Sequence, residues 1–166
     1  MELTEHLTSS NAASLGQTSK LDGSRLSQHF VLNEFTASAT AKLRGIDNTP
    51  TDIIVARILN LCRLVLEPLR QAYGKPIIIS SGYRCPALNK AVGGVSTSQH
   101  MKGEAADLHL PSMKVGWMWF EFIKEHLPFD QLIMEHDKNG NYWIHVSCKE
   151  DVSKNRRMVI SDLLKK

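Results

Sequence analysis

The feature that most constrains the fold of this chain is a long amphipathic pattern in its first half. Thr49 and Pro50 are a typical helix start, an N-cap hydroxyl followed by a proline at the first helical position. The pattern predicts a helix over residues 50–73, which Pro68 kinks near its end and Gly74 terminates. Its apolar residues recur at spacings of three and four: Ile53, Ile54, Ile58, Leu61, Leu64, Val65 and Leu69.

Shorter elements precede and follow this helix. Asn33 begins a helix predicted to run to about Arg44, where Gly45 stops it. Because helices come first and mostly antiparallel strands follow, the predicted fold class is α+β, with a small antiparallel sheet packed against helices. The later elements are helices over residues 87–91 and 112–127, strands over 76–80, 105–110, 129–136 and 142–147, and a candidate edge strand over 157–160.

Length and composition indicate one soluble domain. The chain has 166 residues, of which 42% are hydrophobic, and this suits a single domain with its own core. Residues 1–27 are rich in Ser, Thr, Asn and Gly and predict a flexible arm, so the domain is predicted over residues 28–166. A net charge of +3 is too weak to indicate a nucleic-acid partner. No apolar run approaches the ~20 residues of a membrane span.

Two histidines and one aspartate are candidate ligands of a metal ion. His100 lies in a polar loop, Asp107 in the strand after it and His145 in a later strand. Zinc in catalytic sites takes three protein ligands of these types and leaves one position to water. Strand alternation puts Asp107 and His109 on one face and Glu104 on the other. His109 therefore remains a rival of His145 for the third position.

The residues around this candidate site resemble a known signature. The pattern Ser98-x-His100-x-x-Gly103-x-Ala105-x-Asp107 is similar to S-x-H-x-x-G-x-A-x-D of the zinc D-alanyl-D-alanine carboxypeptidases, the M15 peptidases. Ser81-Gly82-Tyr83-Arg84 precedes it and Trp143-x-His145 follows it, both in the family's order. The resemblance covers residues 30 to about 148 and is strongest to the phage and bacterial branch. Shared segments are F-x-L-x-E-F at 30–35, L-E-P-L-R at 66–70, L-N-x-A-V-G-G at 88–94 and F-D-Q-L-I-x-E at 129–135.

The resemblance implies a zinc peptidase that acts on bacterial peptidoglycan stem or cross-bridge peptides. We expect the protein to be a monomer. His100, Asp107 and His145 would be the zinc ligands, in a fold shared with the hedgehog signalling domain. Arg84 matches an arginine that contacts the substrate and the developing oxyanion, where a fixed guanidinium stabilises transition-state charge. A structural role for Arg84, hydrogen-bonded to loop carbonyls, remains open.

The resemblance also suggests substrate contacts in the loop that precedes His100. Ser98 and Gln99 would bind the substrate there. The Ser98 hydroxyl could equally cap the turn before His100.

The identity of the general base depends on the hairpin. Many family members place the base three residues before the last histidine, and that residue is Tyr142 here. Tyrosine, with a pKa near 10, is a poor base, and Glu135 fits the pattern of this branch. A three-residue turn at 139–141 would pair Glu135 with His145 on one face, whereas a two-residue turn would separate them. We predict an odd turn length; otherwise His136 or no residue would activate water.

Several residues outside the signature are expected to have no role at the site. Cys62, Cys85 and Cys148 are predicted to be reduced thiols, and His6, His29 and His126 to lie in solvent. The basic segment at residues 154–157, together with the terminal Lys165 and Lys166, is predicted to be a solvated face that could help to hold an anionic wall polymer.

The predicted setting is the bacterial cell wall. No signal peptide is visible in the first residues, so we expect synthesis in the cytoplasm and action after lysis-type release or delivery by a virion. The enzyme would be a phage-type lysin, a tail-associated hydrolase or a bacterial remodelling enzyme. The alternative is an inactive zinc-containing module that binds the cell wall or serves as a structural virion protein.

Overall fold

The structure is a computed structural model that describes residues 25–161. Residues 1–24, which make up most of the predicted arm, lie outside this range together with residues 162–166, as does His6. The elements follow the predicted order, and the fold class is α+β as predicted. The helices are α1 (Leu32–Thr36), α2 (Ala39–Arg44), α3 (Asp52–Leu61), α4 (Glu67–Tyr73), α5 (Pro86–Ala91) and α6 (Met113–His126). Within residues 25–161, no helix is long and apolar enough to cross a bilayer.

The first helical stretch differs from its prediction. Instead of one helix from Asn33 to Arg44, the chain forms α1 and α2, because Ala37 is extended, with φ −64° and ψ 133°. The Ser38 side chain then accepts a hydrogen bond from the Ala41 N–H and caps α2. Gly45 ends α2 in the left-handed conformation, as predicted.

The long helix is present, but it contains a wider turn. A π-helical segment, Cys62–Leu66, joins α3 to α4, and the Glu67 N–H bonds to the Cys62 carbonyl five residues earlier. Pro68 follows directly. A proline in a regular helix has no N–H to donate and crowds the carbonyl four residues before it. The irregularity predicted at Pro68 thus lies in the turn before it, and Gly74 ends the helix as predicted.

Five strands form one sheet in the order β1-β2-β4-β3-β5. Four of them pair antiparallel, but β5 runs parallel to β3, so the prediction of an antiparallel sheet is wrong at this edge. After β4 the chain crosses to the far side of β3 before it forms β5 and so enters in the same direction as β3. The strands are β1 (Ile79–Ser81), β2 (Ala105–His109), β3 (Gln131–His136), β4 (Tyr142–Ser147) and β5 (Met158–Ser161).

The two faces of the sheet have different roles. One face is fully apolar at its centre and belongs to the same buried cluster as residues of α3, the π-helical segment and α6. Its central residues are Ala106, Leu108, Leu132, Met134, Ile144 and Val146, all at most 4% exposed. The opposite face bears Asp107 of β2 directly across from His145 of β4. The polar chemistry therefore lies on the face that the helical core does not cover.

Candidate metal centre

Three side chains from separate elements converge on the open face of the sheet. His100 Nε2 lies 3.3 Å from His145 Nδ1, and these atoms lie 3.2 and 3.0 Å from Asp107 Oδ1. Such an arrangement of two imidazole nitrogens and one carboxylate oxygen suits a zinc ion and fits the predicted ligand set. All three residues are at most 9% exposed. Little reorganisation is therefore needed for them to share one ion.

His100 is oriented by a hydrogen bond on its far side. Its Nδ1 lies 2.6 Å from the Gly82 carbonyl oxygen, which can only accept, so Nδ1 bears the proton and Nε2 faces Asp107 and His145. Gly82 has no room for a side chain, because a Cβ there would lie 2.5 Å from the Phe35 backbone. The close packing of α1 against this loop thereby positions the carbonyl that orients His100.

His145, not His109, completes the group. His109 shares the face of Asp107, as predicted, but it pairs with Trp143 at the end of β2 and is exposed. His145 lies directly opposite Asp107 across the β2–β4 pair. Strand pairing therefore decides between the two histidines that periodicity left open.

The environment of Asp107 favours its charged form. Burial alone would raise the pKa of this carboxyl, but its interactions with His100 and His145 outweigh burial and hold the pKa well below its usual range. An ionised carboxylate is the form that binds a metal ion.

Arg84 points into the same site from the loop after β1. Its Nη2 lies 3.9 Å from Asp107 Oδ2, and its buried Nε has no hydrogen-bond partner among residues 25–161. Burial lowers the pKa of Arg84, and the charges of Asp107 and Glu135 oppose that shift. An arginine nevertheless stays protonated in a protein. The loop-carbonyl role left open for the Arg84 side chain is not observed in the described part of the chain.

Glu135 lies on the face of the candidate metal ligands, and Tyr142 does not. Glu135 pairs with Trp143, two residues before His145 on the same face, whereas His136 pairs with Tyr142 on the opposite face. Tyr142 packs against the core. The position three residues before the last histidine therefore points away from the site, and so does the fallback base His136.

The hairpin has the predicted odd parity but not the predicted register. The last backbone bond runs from the Asp137 N–H to the Asn141 carbonyl, which leaves a three-residue turn at 138–140, one residue earlier than predicted. The Asp137 carboxylate also accepts the N–H groups of Asn139 and Asn141 and stabilises this turn. As a result, the predicted direct pairing of Glu135 with His145 is wrong, although both share a face.

The loop before His100 is held by its own side chains. The Ser98 hydroxyl accepts the His100 N–H at 3.3 Å and caps the 3₁₀ turn Gln99–Lys102, the structural alternative considered for Ser98. Gln99 donates from Nε2 to Asp130 Oδ2 at 3.0 Å. Both residues also line the cleft, where their contact with substrate stays a prediction.

The basic segment and His29 are largely exposed, as predicted, but they also have partners that the sequence did not predict. Arg156 makes a charge-assisted pair with the fully buried Asp130, and Arg157 packs 4.5 Å from the centre of the Phe129 ring. His29 Nδ1 bonds to Glu67 at 2.8 Å. The partners of these basic residues are acidic and aromatic side chains that lie far away in the sequence. Sequence spacing could not predict these pairs. The three cysteines are free thiols, as predicted.

Two positioning residues were missed by sequence reasoning. Asn48 is buried and donates to the Tyr83 carbonyl at 3.0 Å while accepting the Cys85 N–H at 2.7 Å, so it holds the loop on both sides of Arg84. Asp130 links Gln99 to Arg156. Asp130 lies in the matched segment at residues 129–135, which was a usable signal. Asn48 lies in none of the motifs.

Two cavities meet at the site. The basic cavity, of about 650 Å³, is lined by both histidines and by Lys102, Lys149 and Arg156. The hydroxyl cavity, of about 880 Å³, is lined by Ser38, Thr40, Ser80, Ser81 and Trp143 among others. The two cavities share Arg84, Gly93, Gly94, Asp107 and Glu135. The candidate metal ligands therefore lie within an open cleft.

Comparison with known proteins gives two matches. The family model for Peptidase M15 matches residues 28–147. A stretch of 44 residues is 50% identical to the zinc D-Ala-D-Ala carboxypeptidase of Streptomyces albus G. That stretch is 26% of this chain and spans only 17% of the length of this relative.

Proposed function

Because the chain belongs to the M15 peptidase family, we propose that it is a zinc-dependent peptidase that hydrolyses peptide bonds of bacterial peptidoglycan stem or cross-bridge peptides. The observation that carries the proposal is the convergence of His100, Asp107 and His145 within one cleft. The relative with local identity is a zinc carboxypeptidase by name, which supports the metal and the substrate class.

In this proposal each residue of the site has a separate task. His100, Asp107 and His145 hold the zinc ion, which when bound supplies a Lewis acid and makes water more acidic. The Glu135 carboxylate accepts the proton of the attacking water and then gives it to the leaving amine. The Arg84 guanidinium stabilises the negative charge that develops on the carbonyl oxygen of the scissile bond. The low exposure of the site strengthens these interactions.

Two features of the residues support these roles. Glu135 and Arg84 both line the two cavities, so each can reach a substrate bound in either. Glu135 is partly exposed and forms no ion pair with a residue in the range 25–161. The feature that favoured an inactive module was Tyr142 at the usual position of the base, and Glu135 can take that task instead.

The proposed setting is the cell wall during lysis, phage entry or wall remodelling. A phage-type lysin, a tail-associated hydrolase and a bacterial remodelling enzyme would all use the same chemistry on the same peptides. Peptidoglycan peptides are the proposed partner in each case.

The test is the release of amino groups from purified cell wall. Wild-type protein should release them with zinc and stop when a chelator is added. Glu135→Gln should retain zinc and lose at least about 100-fold in turnover, the usual contribution of a general base. Glu125→Gln makes the same change on the exposed surface of α6 and should keep full activity. Zinc-loaded protein without hydrolysis would identify the inactive module, and substantial turnover by Glu135→Gln would remove Glu135 as the base.

A further inference from the structure

The Arg84 guanidinium is not held in the cleft by hydrogen bonds of its own. Its Nε is buried and has no partner among residues 25–161, and its Nη2 lies 3.9 Å from Asp107 Oδ2, too far for a hydrogen bond. A long side chain without short bonds can exchange between rotamers. The position of this guanidinium therefore depends on the backbone that carries it.

The backbone that carries Arg84 is fixed on several sides. Residues 82–85, which we call the Arg84 loop, follow β1 directly. The Arg84 N–H donates to the His100 carbonyl at 3.2 Å, and the Tyr83 N–H donates to the Phe35 carbonyl at 2.6 Å. Two more backbone groups of this loop bond to a side chain.

That side chain is the amide of Asn48, which bonds to the loop on both sides of Arg84. Asn48 Nδ2 donates to the Tyr83 carbonyl at 3.0 Å, and Oδ1 accepts the Cys85 N–H at 2.7 Å. Nδ2 also donates to the Thr36 carbonyl at the end of α1, at 2.9 Å. A side-chain amide has two donors and an acceptor in one plane. One buried residue thus fixes both peptide groups that flank the arginine.

Asn48 supports the arginine separately from the candidate metal ligands. It lies between α2 and α3 and lines neither the basic cavity nor the hydroxyl cavity. His100 is instead oriented by the Gly82 carbonyl, and the close packing of Gly82 on Phe35 positions that carbonyl. Loss of the Asn48 amide should consequently affect the Arg84 loop and leave the metal ligands in place.

We propose that Asn48 is a positioning residue that sets the place of the Arg84 guanidinium for the reaction. The inference rests on the proposed function, in which this guanidinium stabilises the negative charge of the transition state. Such stabilisation needs a donor that is already in place when the charge develops. Asn48 supplies this order through the backbone and does not contact the substrate.

The first test compares the kinetics of Asn48→Ala with those of wild-type protein. Its kcat should fall about 10- to 100-fold, because a displacement of about 1 Å is enough for such a loss. It should still bind one zinc ion per chain. Thr49→Ala removes a neighbouring exposed hydroxyl that bonds to Asp47 and should keep full activity. Unchanged kcat in Asn48→Ala, or loss of its zinc, would overturn the inference.

A double-mutant cycle tests whether Asn48 acts through Arg84. Once the guanidinium is gone, its position no longer matters, so Asn48→Ala combined with Arg84→Ala should match Arg84→Ala in kcat/KM to within about twofold. A further loss as large as that of Asn48→Ala alone would show general damage and contradict the inference. Asn48→Asp keeps the shape and the acceptor for the Cys85 N–H but removes the amide donor. It should give the same pattern and provides the cycle if Asn48→Ala does not fold.

A spectroscopic measurement separates this inference from the proposed function. In the NMR spectrum of isotope-labelled, zinc-loaded protein, the buried Arg84 Nε–H should give a resolved signal that is protected from exchange with water and is missing in Arg84→Ala. Asn48→Ala should lose this protection, and Thr49→Ala should retain it. If wild-type protein hydrolyses nothing, the proposed function fails and the signal still tests Asn48. An equally protected signal in Asn48→Ala would contradict the inference whatever the activity.

Discussion

At the level of single residues, the site depends on contacts that lie behind the side chains facing the cleft. His100 is oriented by the Gly82 carbonyl, and the loop on both sides of Arg84 is held by the buried amide of Asn48. Such supporting contacts fix the ring and rotamer of a ligand before the metal arrives. Such contacts explain why the side chains of His100, Asp107 and His145, which would otherwise be hydrated, can lie close together and buried.

Two histidines lie on the open face of the sheet, His109 and His145, and only the removal of His145 should affect zinc binding. His145→Ala should abolish zinc binding and activity, because it leaves two protein ligands. His109→Ala removes an exposed histidine from the same face of the neighbouring strand and should retain one zinc per chain. Elemental analysis of the purified variants measures both. Loss of zinc from His109→Ala would contradict the assignment of the third ligand.

Asp130 should make the free energy of unfolding depend on pH. Burial would raise the pKa of this carboxyl, but hydrogen bonds from Arg156 and Lys149 outweigh burial and hold the pKa below its usual range. The stabilisation is therefore present above the unfolded pKa of about 3.9 and is lost as pH falls toward the lower folded value.

Urea denaturation between pH 3 and 7 tests this dependence. Wild-type protein should lose stability as the pH falls below about 4, and Asp130→Asn should lose less over the same interval. At pH 7 the variant should be less stable by about 3 kcal/mol, because two cations lose their buried partner. Parallel pH curves for the two proteins would show that Asp130 does not contribute.

At the level of elements, the hairpin shows how turn position controls the site. A turn of odd length keeps Glu135 and His145 on one face, and this parity could be predicted from the need to place both in one cleft. Its position could not, because the Asp137 carboxylate organises the turn one residue earlier than the Asn139-Gly140 pair suggests. Glu135 consequently lies opposite Trp143, two residues from His145 along β4, rather than directly opposite His145.

The turn that bears His100 packs against the long helix at Gly103. Gly103 has φ +72°, and a Cβ there would lie 2.8 Å from the Ile54 carbonyl oxygen in α3. Gly140 has φ +80° in the hairpin turn but has open space around it. The two glycines therefore share the conformational requirement and differ in the space available.

Alanine substitutions separate these two effects. Gly140→Ala should cost about 1–2 kcal/mol of unfolding free energy for its left-handed backbone. Gly103→Ala should cost a further ~1–3 kcal/mol, because the turn must move away from α3. It should also weaken zinc binding, since His100 moves with the turn. Urea denaturation and zinc titration measure both variants, and equal losses would indicate that packing against α3 is unimportant.

At the level of the whole molecule, the candidate metal ligands come from distant parts of the chain. His100 comes from the 3₁₀ turn, Asp107 from β2 and His145 from β4. An ion that binds only the folded state stabilises it in proportion to the logarithm of its concentration. Bound zinc should therefore act as a link between the turn and the sheet.

Metal removal should lower the melting temperature. Free zinc at 100 times its dissociation constant should add about 2.7 kcal/mol of stability. For a domain of this size, that corresponds to a rise in Tm of about 5–10 °C. Differential scanning calorimetry with and without a chelator measures the shift. His145→Ala should show no chelator effect, and an equal shift in this variant would indicate that zinc binds elsewhere.

The sequence by itself determined the order of the elements, the fold class and two of the candidate ligands, His100 and Asp107. These depend on local periodicity and on motif spacing, which can be recognised from the order of the residues alone. The same local patterns predicted the long helix over residues 50–73 and the end of the first helical stretch at Gly45.

Only the tertiary structure decided which residues meet across the fold. Pairing of β2 with β4 selects His145 over His109, and the hairpin register turns Tyr142 to the core side. The parallel edge strand and the burial of Asp130 against Arg156 likewise depend on where the chain crosses the sheet. Such contacts join residues far apart in sequence, and their energies depend on burial and strand register, which local patterns do not specify.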